Sequence, residues 1–455
     1  MTELPRGWEW ATLEDLLAAQ ERPITDGPFG SKLASRHYSD SGARVIRLQN
    51  IGDGVFRDER AYISEEYFEE LRAHEVRAGD LVIASLGDVL PRACIVPDIG
   101  LAIVKADCIR VRLHPEIDVR WVLYALMAPA TRRHTASLIK GVGRPRLGLS
   151  AIRKIPIPIP PAEEQRSIVA ALEDHLSHLG EATLALEGIV QRLRLLAKRI
   201  LVDAIPVPGP SNWRISTVGK AGMVDLGRQR HPDWHIGPNM RPYLRVANVF
   251  EDRIDLTNVM EMDFPSDIFD KYRLVEGDIL LNEGQSPEYL GRPAMYRGEP
   301  KEIAFTNSLL RFRAGVDVLP EWALLVFRRH MHAKRFIREV RITTNIAHLS
   351  ASRFKSVEFP VPPLEEQEKI VRSVKARLAD IERSISGIEL RQIQADALRR
   401  SLLAEAFAGR LVSQNPADEP TSLLLERIRR ERLAQPKSRR VRRPSKLPQQ
   451  KETLL

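Results

Sequence analysis

The chain has 455 residues, 43% of them apolar and 28% charged, with a net charge of +9 and two cysteines. That length suits two or three domains, each with its own core, and the composition is that of a globular protein rather than a disordered or fibrous one. Cys94 and Cys108 are too few for a disulfide framework, no stretch approaches the ~20 apolar residues of a membrane span, and the opening MTELPRGWEW lacks the apolar run of a secretory signal, so a reducing, cytoplasmic setting is expected.

Residues 1–155 read as a first mixed domain. The β-like runs Arg44-Val45-Ile46-Arg47-Leu48 and Asp80-Leu81-Val82-Ile83-Ala84 lie between Gly/Asp turns, and a helical stretch surrounds Trp121. At Ile155-Pro156-Ile157-Pro158-Ile159-Pro160-Pro161 the chain turns Pro-rich. Proline fixes φ and removes a donor, so this strip is neither helix nor central strand. The Pro-Pro starts a helix with Glu163-Glu164 in its first turn, where the macrodipole favours carboxylates. Leu172, Leu176, Leu179, Leu186, Ile189, Leu193, Leu196 and Ile200 then recur mostly at spacings of four and three, the mark of a coiled-coil seam. A continuous helix from Glu163 to Ile205 would reach roughly 60 Å at ~1.5 Å per residue. Gly180 and Gly188 weaken it locally, and Pro206-Val207-Pro208-Gly209-Pro210 ends it. The central helical region is therefore 156–208.

The remainder says the same thing again. Residues 209–357 form a second mixed domain and 358–412 a second helical region. Arg47-Leu48-Gln49-Asn50-Ile51 returns as Arg245-Val246-Ala247-Asn248-Val249, and Ala78-Gly79-Asp80-Leu81 as Glu276-Gly277-Asp278-Ile279. Trp121-Val122-Leu123 returns as Trp322-Ala323-Leu324, and Pro160-Pro161-Ala162-Glu163-Glu164-Gln165 as Pro362-Pro363-Leu364-Glu365-Glu366-Gln367. A solenoid repeats every ~20–50 residues, whereas these matches are 198 to 202 residues apart, so the copies are whole domains. Val371, Val374, Leu378, Ile381, Ile385 and Ile388 give the second helix its own seam. Two such seams are buried most economically against each other, antiparallel, with one mixed domain at each end; the competing arrangement packs each helix on its own domain. Between Ser413 and Leu455 eleven Lys/Arg face five Asp/Glu, so +6 of the +9 lies in this stretch. It is expected to be a basic tail, partly disordered. Global charge is thus weak evidence for a polyanion partner.

Catalytic signatures are missing. There is no phosphate-binding Gly-x4-Gly-Lys-Ser/Thr loop, no Asn/Asp-Pro-Pro-Tyr signature and no His-Glu-x2-His. His330-Met331-His332 puts its histidines on different helix faces, which favours surface histidines over a metal site. The Glu pairs sit at helix starts, which favours capping over acid–base work. No enzymatic activity is expected of this chain. Basic residues in turn-rich loops are more suggestive: Ser31 and Lys32 in Gly27-Pro28-Phe29-Gly30-Ser31-Lys32, Arg92, and Arg144 and Arg146 in Gly141-Val142-Gly143-Arg144-Pro145-Arg146. The second copy offers Arg228 and Arg230, then Gln285, Ser286 and Arg292, then Asn345 and His348. These are side-chain types that read base edges and phosphates, and Arg146 and His348 occupy matching places in the two copies.

Taken together, these motifs resemble the DNA-specificity subunit of type I restriction–modification systems. Gly27-Pro28-Phe29-Gly30-Ser31-Lys32-Leu33 and Arg47-Leu48-Gln49-Asn50-Ile51-Gly52 are similar to one type of target-recognition domain. Asn282-Glu283-Gly284-Gln285-Ser286 with Leu290-Gly291-Arg292-Pro293-Ala294 is similar to another. The Pro-Pro-x-Glu-Glu-Gln openings, Ala406-Phe407-Ala408-Gly409-Arg410-Leu411-Val412 and Leu424-Leu425-Glu426-Arg427-Ile428 resemble the helical and C-terminal regions. The first helix lacks the Phe-x-Gly ending of the second, and the extension after Arg432 matches no pattern. The resemblance implies an α+β fold with two pseudo-repeated mixed recognition domains, separated by two long helices forming an antiparallel coiled coil. It implies that each domain reads one half of a bipartite, asymmetric site on double-stranded DNA, while the helices set the spacer. Two methyltransferase subunits carrying S-adenosylmethionine and two restriction/translocase subunits using ATP and Mg would be the partners, with no cofactor and no metal in this chain. Ser31, Lys32, Arg92, Arg144, Arg146, Arg228, Arg230, Gln285, Ser286, Arg292, Asn345 and His348 are the expected DNA contacts. A two-headed DNA-binding protein without such partners, and a scaffold that bridges two proteins, remain the alternatives.

Overall fold

The computed structural model describes residues 4–87, 89–140, 145–339 and 347–435. The chain divides into two compact units, Met1–Thr183 with Gln392–Leu455, and Leu184–Arg391. In the first, a four-stranded antiparallel sheet runs in the order Ile24–Asp26, Cys108–Val111, Leu81–Ala84, Arg92–Ile95. Every residue of Leu81–Ala84 is buried, which is why that strand reads as an unbroken apolar run rather than an alternating one. A five-stranded mixed sheet, ordered Tyr38–Ser39, Tyr62–Ile63, Ala43–Ile46, Ala102–Val104, Glu75–Val76, has one parallel pair, Ala43–Ile46 with Ala102–Val104.

The second unit repeats this plan. Its four-stranded sheet is ordered Gly222–Leu226, Leu309–Ala314, Ile279–Asn282, Pro293–Met295. Its smaller sheet, Met260–Asp263, Met240–Leu244, Ala304–Phe305, again has one parallel pair. The same strand order arises in both units because the same residues fix the turns. Asn50 and Asn248 each accept the N–H three residues back, at 2.8 and 3.1 Å, and their amides donate to carbonyls of the following loop. Asp80 and Asp278 accept the N–H groups of Arg77 and Val275, at 2.8 and 2.9 Å, and pair with Arg112 and Arg313.

The Pro-rich strips are strands of two-stranded ribbons: Pro156–Ile159 pairs with Glu9–Thr12, and Glu358–Val361 with Arg214–Thr217. An edge position tolerates the missing proline donors. Above each ribbon two tryptophans meet edge to face, Trp8 with Trp121 at 5.5 Å and Trp213 with Trp322 at 5.6 Å. Trp121 and Trp322 donate their indole N–H to the carbonyls of Pro158 and Pro360, at 2.9 and 3.0 Å. Trp8 and Trp213 donate theirs to Glu164 and Glu366, at 3.0 and 2.9 Å. Gln165 and Gln367 are buried and bond backbone groups around the helix start. Expected as dipole caps, Glu164 and Glu366 are indole acceptors as well, so the Glu-Glu-Gln motif ties each sheet unit to its helix.

The two long helices are continuous over Ala162–Ala204 and Leu364–Phe407, glycines included. Along the first, Leu172, Leu176, Leu179, Thr183, Leu186, Val190, Leu193, Ala197 and Ile200 are each at least partly buried and recur at alternating spacings of four and three. Ile189 and Leu196, expected in the seam, are 40% and 44% exposed, and Val190 and Ala197 take their places. Apolar content alone misassigned them: the small Ala197 faces inward while the larger Leu196 faces out. In the first unit Ile168, Val169 and Leu172 share a core with Leu403 and Ala406, from the end of the second helix. In the second unit Val190, Ile200 and Leu201 share one with Val371, Val374, Ile381 and Ile385, from its start. In the second unit Arg194 pairs with Glu389 at 4.0 Å while Ala204 shares a cavity with Glu366 and Lys369, so there the two helical segments run in opposite directions.

The expected tail from 413 contains a further helix, Thr421–Ala434. Its Leu424 and Ile428 are buried in the first unit's core, and Arg427 pairs with Glu116 at 2.6 Å. Among the described residues no helix is long and apolar enough to cross a membrane.

Candidate nucleic-acid interface

The loops that carry the expected contacts hang from this repeated frame. In the first unit Ser31 and Lys32 are exposed on the 3-10 turn Gly30–Leu33, which Leu33 anchors by burying its side chain. Gly30, at φ +61°, lets the chain make the turn, and the Tyr67 hydroxyl donates to the Lys32 carbonyl. Gly27, just before, lies against the backbone of Lys105, where a Cβ would collide; Gly227 lies likewise against Thr306 in the second unit. Arg146 exchanges both backbone hydrogen bonds with Lys140, at 3.0 and 2.9 Å. Its guanidinium pairs with Asp107 at 2.8 Å and lies 5.6 Å from the centre of the Phe29 ring. Phe29 and Arg146 thus bring the two loops of the first unit together. Arg144 lies outside the described residues.

Arg92 is placed differently from its expected role. It is half-buried and donates to the Leu48 carbonyl at 3.1 Å, so it holds the Arg-x-x-Asn turn to the sheet. Arg228 also points inward: it is 8% exposed, with its guanidinium 4.0 Å from the Trp234 ring centre and 4.7 Å from that of Phe264. Burial depresses its pKa, and its guanidinium donates to the Asp263 carbonyl. Sequence reasoning took Arg92 and Arg228 for exposed reading groups because a basic residue beside a turn looks the same whichever way it faces. Arg230 is exposed, 5.8 Å from the Tyr243 ring centre.

In the second unit the strand pair Gly284–Gln285 with Ala347–His348 brings Gln285 and Ser286 beside His348. His348 Nδ1 lies 3.1 Å from the Glu283 carboxylate, and Gly284 leaves no room for a side chain against the imidazole. The first unit has the matching isolated bridge, Leu86 with Arg146. One backbone position therefore presents arginine in one unit and histidine in the other. Asn345 lies outside the described residues.

Arg292 sits apart from that cluster. Its guanidinium is 4.7 Å from the Phe250 ring centre and 5.2 Å from that of Tyr289, and burial lowers its pKa. It lines a cavity of about 550 Å³ with Lys198, Tyr289 and Lys334. Sequence reasoning missed both lysines, since one lysine on a long helix and another just past a helix end are indistinguishable from solvated surface. Nearby, Glu251 bonds Arg328 at 2.8 Å and His332 at 2.9 Å. Burial opposes its ionisation, but the His332 hydrogen bond and the Arg328 charge outweigh it and pull the carboxyl down to about 2.

Neither histidine of the His330-Met331-His332 run binds as a free surface group. His330 is fully buried, against expectation, and bonds the Glu358 carbonyl at 2.9 Å, while His332 is held by Glu251. The one cluster with metal-ligand spacing among the described residues is His114, Glu116 and Glu431. There His114 meets Glu431 at 2.9 Å and Arg427 occupies Glu116, so the cluster serves as the latch of the terminal helix.

Known proteins show the same construction. A family model described as the type I restriction modification DNA specificity domain matches twice, over residues 47–186 and 263–389, together more than half of the chain. The EcoKI specificity subunit of Escherichia coli (strain K12) is 23% identical over 463 residues, covering 95% of this chain and 97% of that protein. The StySPI specificity subunit of Salmonella potsdam is 23% identical, covering 94% and 96%. A chain solved in a study of complex assembly and conformational transition of the type I R-M system superposes with a TM-score of 0.68 at 18% identity, covering 90% of this chain and all of that one. The HsdS subunit of Thermoanaerobacter tengcongensis gives 0.52 at 18% identity, over 90% of this chain and 98% of that one. Two matches of one domain model, each running from within a sheet unit into the long helix that follows it, place this chain in the type I restriction–modification DNA-specificity family.

Proposed function

We propose that this chain is the sequence-reading subunit of a type I restriction–modification complex and supplies specificity rather than catalysis. Each unit reads one half of a bipartite, asymmetric site on double-stranded DNA. The observation that carries this is the shared frame with unlike tips: Arg146 and His348 stand at one bridge position in the two units, so the halves they read differ. Phe29, Ser31, Lys32 and Arg146 form the reading edge of the first unit, and Gln285, Ser286 and His348 that of the second. The two long helices, paired as an antiparallel coiled coil, set the unread spacer between the halves. They also dock methyltransferase subunits, through apolar residues they leave exposed such as Leu184 and Leu195, at 69% and 63%. S-adenosylmethionine then belongs to two methyltransferase subunits, and ATP and Mg to two restriction/translocase subunits, all in the cytoplasm.

The test is a double variant, Gln285→Ala with His348→Ala, assayed against duplexes altered in one half-site at a time. Each lost base contact should remove about 1–3 kcal/mol of discrimination, roughly 5- to 150-fold. The loss is confined to the second half-site, while substitutions in the first half remain as damaging as before. An equal loss of affinity for every duplex would assign the two residues to the backbone and contradict the reading assigned to them.

A further inference from the structure

Lys198, Arg292 and Lys334 line one cavity of about 550 Å³ in the second unit, and no ion pair joins any of them to a carboxylate among the described residues. Lys198 comes from the first long helix, nearly two turns before its end, Arg292 from the position just before strand Pro293–Met295, and Lys334 from the turn after the helix Pro320–His332. Lys198 and Lys334 are exposed, so their ammonium groups are free to meet a ligand. Arg292 is fixed: its guanidinium rests between Phe250 and Tyr289, and its Nε is buried without a hydrogen-bond partner. Of the two carboxylates at this cavity, Glu251 is already bound by Arg328 and His332, which leaves only the exposed Glu288 at the rim. The first unit does not repeat the arrangement, since its Arg92 donates to the Leu48 carbonyl instead.

Three cations from separate elements, one pre-oriented by aromatic faces and none neutralised, make a site for a compact multivalent oxyanion. A rigid guanidinium fork beside two exposed ammonium groups suits tetrahedral phosphate oxygens, and lysines on a helix and a turn beside a recognition loop suit contacts that position rather than specify. We infer that Lys198, Arg292 and Lys334 clamp a backbone phosphate of the bound duplex, so that the spacer helix itself touches DNA. This rests on the sequence-reading role proposed above, and it removes Arg292 from the base-reading set.

The experiment uses the full chain and a short fluorescent duplex of mixed sequence, with affinity measured across a salt series. For Lys198→Gln with Lys334→Gln, affinity should fall for all sequences alike, and the slope of log K against log salt should flatten by about 0.9 per lost contact, close to 2 in all. Lys198→Arg with Lys334→Arg should keep the original slope. The same charge change at Lys220 and Lys355, exposed lysines elsewhere in the unit, should flatten it far less. An unchanged slope in the Gln variant, or equal flattening from the Lys220 and Lys355 pair, overturns the clamp. Failure of the unmodified chain to bind any duplex would instead overturn the sequence-reading role. Competition by ATP that protects both lysines from acetylation, where the duplex does not, would assign the phosphate to a free nucleotide and also overturn the backbone assignment.

Discussion

Replacing Asp278 by alanine is expected to destabilise the second unit by about 3–5 kcal/mol, because it removes a fully buried acceptor shared by two hydrogen bonds from Arg313 and one from the Val275 N–H. Asp278 is fully buried. Its carboxylate accepts from Arg313 Nε at 2.7 Å and Nη2 at 2.8 Å, and from the Val275 N–H at 2.9 Å. Arg311, only 4% exposed in its side chain, lies 4.0 Å away and also pairs with Asp225 at 2.6 Å. Removing the carboxylate breaks the turn that starts strand Ile279–Asn282 and leaves Arg313 facing a cavity. Replacing both Asp278 and Arg313 by leucine should recover much of the loss, since two apolar groups need no partner. Denaturant melts of the full chain, with amide exchange followed in Ile279–Asn282 and Leu309–Ala314, measure both effects. A loss under about 1 kcal/mol for Asp278→Ala would show that the pair contributes little and that the Gly-Asp motif is kept for another reason.

Trp322→Ala should be as damaging, at about 3–5 kcal/mol for a large buried aromatic. Trp322 is fully buried, meets Trp213 edge to face and donates to the Pro360 carbonyl. It therefore joins three parts: the sheet unit, the ribbon Arg214–Thr217 with Glu358–Val361, and the start of the second long helix. Trp322→Phe keeps most of the apolar area and removes only the indole donor. It should lose about 1–3 kcal/mol, the cost of leaving a buried carbonyl unpaired. The measurement is the same melt, with exchange followed along Glu358–Val361. If Trp322→Phe proves as harmful as Trp322→Ala, the hydrogen bond rather than packing dominates the junction.

Much of this frame was legible because the chain carries its own comparison. Asn50 with Asn248, Asp80 with Asp278 and Trp121 with Trp322 stood out as matched pairs, and each is a structural fixture rather than a reading group. What the pairs do was not legible, since their partners are far off in sequence. Glu164 receives its hydrogen bond from Trp8, 156 residues earlier. The match of Trp8 with Trp213 went unread, as did that of Gly27 with Gly227, whose common need is close approach to another backbone segment. Of the expected contacts, Ser31 and Lys32 in a turn, Arg230 in a loop and His348 at a strand end are exposed, while Arg92, which begins a strand, and Arg228 are drawn inward. A residue's neighbours in sequence predict the turn but not the direction in which a long side chain leaves it.

The division between a repeated frame and unlike tips yields a definite reading of how the protein works. The frame holds its loops in place through buried pairs that do not vary between the copies. In the proposed function, specificity lies in loop and strand-end positions where the copies carry unlike residues, such as Arg146 and His348. The measurement that tests this most directly is coexpression of the full chain with a methyltransferase subunit of a type I system from the same source, followed by sequencing of methylated adenines in the host DNA. The account predicts a new motif of two short, different blocks separated by a gap of fixed length. Formation of an active complex that methylates adenines without such a two-block pattern, or that methylates a single symmetric block, would contradict it.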